Sequence, residues 1–170
     1  MIIGLSAPAK SGKDALAEAL GFPYFALADA LKDDLAVLIW KMYSINVKSP
    51  SPKEKEIIRP LLVAHGAGMR ARYGVDYWVE RLFGSMLFSR SLRKDPYTVI
   101  SDVRYPNEAA RINATGGLVF RIHRPGYGPV NDEEAGSLAE IDKLPYIIHI
   151  QNDKKISDLA EQVKLHLPLA

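Results

Sequence analysis

The chain has 170 residues, with 22 Lys and Arg against 20 Asp and Glu, a net charge of +2 and no cysteine. That length suits one domain that buries about two thirds of its unfolded surface, without a disulfide or metal staple. The missing cysteine excludes structural disulfides, thiol nucleophiles and thiolate metal sites, and fits a reducing cytoplasm; the charge balance argues against a nucleic-acid polymer as partner.

The opening apolar run, Met1 to Leu5, is too short for a signal-peptide core, and no segment approaches the ~20 apolar residues of a membrane span. A soluble, unprocessed protein with no membrane partner is expected. In chain order the sequence predicts a strand at Ile2–Ser6, a helix at Lys13–Leu20 and a strand at Tyr24–Leu27. A helix at Ala30–Tyr43 follows, with Leu31, Leu35, Leu38, Ile39 and Met42 along one side. The Lys53–Arg93 region predicts two helices parted near Tyr73-Gly74-Val75-Asp76, with Pro60 marking a late start of the first. Strands follow at Tyr97–Ser101, Leu118–His123 and Tyr146–Ile150, and helices at Asn107–Ala114 and Ile156–Leu167.

The strand runs are apolar on both faces, so they predict buried strands of an α/β domain with a mainly parallel sheet. Function then belongs at the strands' carboxyl ends. Two stretches read as mobile, "VKSPSPKEKE" and "RPGYGPVNDEEAGS", the second being the better candidate for a closing segment.

After the first strand, Ala7 to Gly12 lead into a helix that begins at Lys13. A phosphate loop needs this context: unpaired amides and the helix dipole favour an anion, small residues (Ala7, Ala9, Ser11, Gly12) allow close approach, and lysine adds a movable charge. The usual signature has glycine where Ala7 stands and a hydroxyl where Asp14 stands. Asp14 is tolerable beside phosphates if it faces Mg²⁺ or its water shell; otherwise it is a favourable acid in a first helical turn. Without a ligand, the same turn is an ordinary strand-to-helix connection.

"YTVISDVRYPNEAARI" places Asp102 at the end of a strand, where Mg²⁺ or its waters could be held, with Arg104 able to grip a phosphate. The alternative makes Asp102 a turn residue and Arg104 its surface partner. Arg121 and Arg124 end the next strand, and together they suit neutralising a phosphoryl group in transfer if the strand stops between them. Either one alone is also an ordinary solvated arginine.

The ordered set "SGKD" (Ser11 to Asp14), "FALADALKDDLA", "RPLLVAHGAGMR", "DYWV", "ISDVRYPNEA" (Ile100 to Ala109), "RIHRPG" and "IQNDKKISDL" resembles the deoxynucleoside monophosphate kinases of tailed bacteriophages, a branch of the P-loop kinases. In that family an aspartate after the loop lysine is a familiar variant. The resemblance implies a P-loop NTPase-like three-layer sandwich with a five-stranded, mainly parallel sheet. It implies one domain over 1–170, with a helical acceptor-binding insertion at 30–93 and a lid-like segment at 124–140. It also implies γ-phosphoryl transfer from ATP to a (deoxy)nucleoside monophosphate with Mg²⁺, in the host cytoplasm, and allows a homodimer.

By the same resemblance Ala9, Lys10, Ser11, Gly12, Lys13, Asp14 and Asn152 bind ATP, Lys13 holding its β and γ phosphates. Asp102 holds Mg²⁺ through water, with Asp14 as a second water-mediated partner. Arg104, Arg121 and Arg124 complete the catalytic set. Asp29, Lys32, Arg59, Arg70, Trp78, Arg104 and Glu108 serve the acceptor, the two arginines Arg59 and Arg70 at its phosphate and Trp78 against its base. Two departures stand out. Ala15 replaces a frequent threonine, leaving Ser11 to supply a hydroxyl for the metal, and around Glu140 only the acidic end of a His-x-Ser-Glu element aligns. The rival readings are a P-loop kinase for another small phosphorylated acceptor, or a nucleotide-binding regulatory protein without turnover.

Overall fold

The computed structural model describes residues 1–91 and 95–168. Five strands, β1 (Ile2–Ser6), β2 (Tyr24–Phe25), β3 (Thr98–Ile100), β4 (Leu118–His123) and β5 (Ile147–Gln151), form one sheet in the order β2-β3-β1-β4-β5. Every neighbouring pair is parallel. Seven helices accompany them among the described residues: α1 (Lys13–Leu20), α2 (Leu27–Tyr43), α3 (Pro52–Tyr73), α4 (Tyr77–Ser91), α5 (Pro106–Asn113), α6 (Asp132–Asp142) and α7 (Ile156–Lys164).

The chain divides into two compact units, Met1–Phe25 with Leu92–Ala170, and Ala26–Ser91. In the first unit every residue of β1 is buried, which requires cover on both sheet faces. Ile3, Leu5, Phe120 and Ile122 point to one face and share a core with Leu16 and Leu20 of α1 and Leu159 and Val163 of α7. On the other face α5 lies against β1 and β4, and α6 packs on α5 through buried Leu138 and Ile141. Gly4 makes the close approach of α5 possible: a Cβ there would stand 2.8 Å from Ile112 Cδ1 and 3.1 Å from Val103 Cγ2. The unit is therefore a helix–sheet–helix sandwich.

The second unit is built from α2, α3 and α4. Ile39, Ile45, Val47 and Ile58 form a core with Leu35, Leu61 and Leu62 against it. Trp78 is 5% exposed, donates its indole N–H to the Gly66 carbonyl at 3.0 Å, and meets His65 and Tyr77 edge-on.

Several sequence expectations shift here. α2 begins at Leu27, not Ala30, because the Asp29 carboxylate accepts the Ala26 N–H at 3.1 Å from inside the first turn. Pro60 does not start a helix but lies within α3, which begins at Pro52. There Ser51 and Glu54 cap reciprocally, Ser51 N–H to Glu54 Oε2 at 2.7 Å and Glu54 N–H to Ser51 Oγ at 3.4 Å. That start outweighs the lost amide donor at an interior proline. Half of "VKSPSPKEKE" is thus helix, and Val47 in it is buried. Of the predicted stripe on α2, Leu38 and Met42 are 50% and 60% exposed, so the apolar run is wider than the face it packs. In "RPGYGPVNDEEAGS", α6 begins at Asp132 behind Asn131, whose side chain accepts the Glu134 N–H at 2.9 Å. Arg93, the expected end of the insertion, lies outside the described residues. No helix among them is long and apolar enough to cross a membrane.

Candidate active site

From β1 the chain runs through α1 on one face towards β2; from β3 it runs through α5 on the opposite face towards β4. The carboxyl ends of β1 and β3, which are neighbours, therefore open between connections that diverge, the place where an open parallel sheet leaves a crevice. The Ala7–Gly12 loop and the Asp102 turn both begin there.

The loop is a compact turn. Ser11 N–H donates to the Pro8 carbonyl at 3.3 Å, and Lys10 and Gly12 have φ of 63° and 93°. Gly12 precedes α1 without a side-chain cap, which leaves the helix-start amides for a ligand. Two side chains from the far half of the sheet brace the turn. Asn152, just past β5, donates its Nδ2 to the Ser11 carbonyl at 2.8 Å and its own N–H to the His123 carbonyl at 2.8 Å. Arg124, just past β4, donates Nη1 to the Lys10 carbonyl at 2.9 Å and lies 4.2 Å over the Tyr127 ring.

A Cβ on Gly12 would stand 2.5 Å from Asn152 Nδ2, at a φ that L-residues avoid. Gly12→Ala is expected to lower unfolding stability by about 2 kcal/mol through backbone strain and loss of the Asn152 bond. Urea denaturation checks this; an unchanged midpoint would contradict the bracing.

Lys13 starts α1 with its side chain 16% exposed, its Nζ 3.6 Å from the Asp14 carboxylate, while Asp14 itself is 77% exposed. Ser11 and Ser6 are fully buried, and their hydroxyls have no hydrogen-bond partner among the described residues. Ser6 was not singled out from sequence; the one signal was a hydroxyl ending an otherwise apolar strand.

Asp102 is 9% exposed, and the following residue, Val103, donates its N–H to Leu5 of β1 at 3.0 Å. Arg104 is exposed, but its backbone is held. Glu108 Oε2 accepts the N–H groups of Arg104 at 2.7 Å and Tyr105 at 3.0 Å. Glu108 thus clasps the turn from the first turn of α5, where sequence reasoning expected an acceptor contact. Its carboxyl is pushed up to about 7, chiefly by burial and further by Asp102, against the pull of the two amides and Arg104. From α6, Ser137 donates its hydroxyl to the Arg104 carbonyl, and Tyr105 donates its hydroxyl to Glu133 at 3.2 Å.

Arg121 does not join Arg124 at the loop. It lies inside β4, is 6% exposed, and donates Nε to Asp142 at 2.9 Å and Nη1 to the Ile122 carbonyl at 3.1 Å. Its guanidinium is committed to a carboxylate on another element. Asp142 is 21 residues away in the chain, so no local pattern announced the pair.

Within the helical unit, Asp29 and Lys32 pair with each other at 3.1 Å, Arg59 is exposed and Arg70 is half-buried. Trp78 has its indole edge and faces taken up in packing, a placement unlike a platform for a base.

The buried Asp102 carboxylate and the unpartnered Ser11 hydroxyl are hard oxygen donors of the kind Mg²⁺ takes, and Asp14 lies beside Lys13 at the helix start. These residues fit the ion.

No protein-family model matches this chain, and no curated protein matches it. Among solved structures, TT1252 from Thermus thermophilus matches with a TM-score of 0.53 and 16% identity, over 97% of this chain and 95% of that one. Shikimate kinase from Aquifex aeolicus vf5 matches with a TM-score of 0.44 and 14% identity, over the same shares of 97% and 95%. At 16% identity the likeness to TT1252 speaks for the fold alone. A five-stranded parallel sheet between helices, with a lysine-ended loop leaving its central strand, makes this an α/β fold like that of TT1252.

Proposed function

We propose that the protein is a nucleoside monophosphate kinase that transfers the γ-phosphoryl group of ATP to a (deoxy)nucleoside 5′-monophosphate. One observation carries the phosphotransferase part: the braced loop with Lys13 follows β1 and buried Asp102 follows the neighbouring strand β3, with Arg124 bonded to the loop itself. The acceptor class rests on the resemblance to phage deoxynucleoside monophosphate kinases, in which "SGKD" and "SDVRYPNE" together are specific and the other segments supporting.

In this reading the amides at the start of α1 and the Lys13 ammonium bind the donor's β and γ phosphates. Arg124, already at the loop, offers its remaining N–H groups to the phosphoryl group in transfer. Arg104 is a further proposed acceptor contact, its backbone held by Glu108 and Ser137. Arg121 has a supporting role here, tying β4 to α6. Mg²⁺, held by Asp102 and the Ser11 hydroxyl with Asp14 at its waters, would supply charge neutralisation between the donor phosphates. Asp29, Lys32, Arg59 and Arg70 of the helical unit are the proposed acceptor contacts, and Pro125 to Ser137 is the proposed cover that excludes water.

The common ribo- and deoxynucleoside monophosphates, together with an isoprenoid phosphate and a phosphorylated coenzyme A precursor, should be incubated with ATP and Mg²⁺ and the products resolved. The expected result is ADP and a nucleoside diphosphate from at least one monophosphate. Turnover with another acceptor alone would shift the assignment to that kinase class. ATP binding without turnover on any acceptor would leave a regulatory binder.

A further inference from the structure

Away from the loop, two imidazoles and a carboxylate meet on the face of the sheet that carries α6. His123 closes β4, His149 lies in β5 in register with Arg121, and Asp142 ends α6. His123 Nε2 stands 2.8 Å from His149 Nδ1, with ring centroids 5.1 Å apart and planes inclined by 21°. That centroid separation is about the largest so short an N···N contact allows, so the rings lie edge to edge with nitrogen facing nitrogen. Facing imidazole nitrogens at this distance share one proton, one ring donating and the other accepting. One ligand atom from each of His123, His149 and Asp142 lies within 4.8 Å of the other two.

We infer that His123, His149 and Asp142 form a binding site for a divalent transition-metal ion of the zinc class. Two imidazole nitrogens and one carboxylate oxygen are a donor set that suits zinc, cobalt or nickel better than magnesium or calcium. Metal–ligand bonds of about 2 Å place tetrahedral ligands roughly 3.3 Å apart, so the two facing nitrogens must part from 2.8 Å, one ring must turn, and the carboxylate must draw in. His149 and Asp142 are exposed and can make that adjustment. The donating ring passes its shared proton to its own other nitrogen through solvent, so both facing nitrogens become acceptors and no net proton is released.

Arg121, the guanidinium facing this set, is bonded to Asp142 Oδ1 and orients the carboxylate while leaving Oδ2 for the ion. His123 is held below the ordinary imidazole range by burial first, then by Arg121 and His149, with Asp142 opposing. The site does not depend on the kinase reading, since none of its ligands is among the residues proposed to bind nucleotide.

The test uses the untagged full chain without nucleotide, titrated with Zn²⁺ by calorimetry and with Co²⁺ by visible absorption. One equivalent of Co²⁺ should give the intense band of a four- or five-coordinate ion. His149→Gln should weaken Zn²⁺ binding by more than about 100-fold, beyond the roughly 10–100-fold that loss of an outer-shell partner costs. His166→Gln should bind as wild type does. Zn²⁺ should also raise the wild-type melting temperature but not that of His149→Gln, with circular dichroism confirming that both are folded. The inference is overturned by no binding below about 100 µM, by wild-type affinity in His149→Gln, or by loss of binding in His166→Gln.

Discussion

Lys13→Ala is expected to lower turnover on the order of 10²–10³-fold, the usual cost of removing one preorganised group that stabilises charge in the transition state. Lys13 stands at the start of α1, close to the loop amides and 3.6 Å from Asp14. Its ammonium is the movable positive charge of the loop, whereas Arg124 has one N–H tied to the Lys10 carbonyl. Alanine is a good helix former, so α1 should persist and the urea midpoint should stay close to wild type. A steady-state assay with the best acceptor, paired with urea unfolding, separates chemistry from folding. A variant keeping more than half its turnover would remove Lys13 from the mechanism, and the loop would then be a connection only.

Glu108→Gln should change how stability depends on pH. The folded carboxyl titrates at about 7 and its reference value is 4.5, so between those values the folded chain keeps a proton that the unfolded chain releases. The stabilisation is fully present below pH 4.5 and is lost as pH rises through 7. Across that window the wild type should lose on the order of 2–3 kcal/mol relative to a group that cannot ionise. Glutamine retains an oxygen for the Arg104 and Tyr105 amides but carries no proton equilibrium, so the variant's stability relative to wild type should climb over the same range. Taking the difference between the two proteins cancels His123, whose depressed pKa acts oppositely, costing stability as pH falls below 6.5. Parallel urea profiles at pH 5, 6, 7 and 8 would show that the Glu108 carboxyl is not held protonated.

Much of this architecture could be read from local patterns. β1, α1 and β4 have the predicted bounds because each pairs a clean apolar run with an unambiguous stop: Gly12 before α1, Gly21 after it, Gly116-Gly117 ahead of β4. The start of α2 was misplaced because Asp29 caps from the third helical position instead of the cap itself. Pro60 misled because a proline reads as a break unless a stronger start lies upstream, and Ser51 with Glu54 supplies one.

Site residues divide along the same line. Lys13, Asp102 and Arg124 could be located by where they leave strands, since the carboxyl edge of a parallel sheet gathers such residues whatever their separation in sequence. What a side chain does after leaving could not be seen. Arg121 turns to Asp142, Glu108 turns back on its own turn, and Trp78 points its nitrogen at Gly66. Each depends on a partner fixed by tertiary packing and not by spacing along an element.

Gly4 has a consequence beyond its own strand. The missing carbon sets how deeply α5 seats on β1, and α5 carries the carboxyl that holds Arg104 by its backbone. The aim of a solvent-facing guanidinium is therefore calibrated from the innermost strand, through a lever whose fulcrum is the Ile112 side chain seated where a Cβ would stand. Change at that interior position would be felt first as misdirected charge at the mouth, before it registered as a loosened interior.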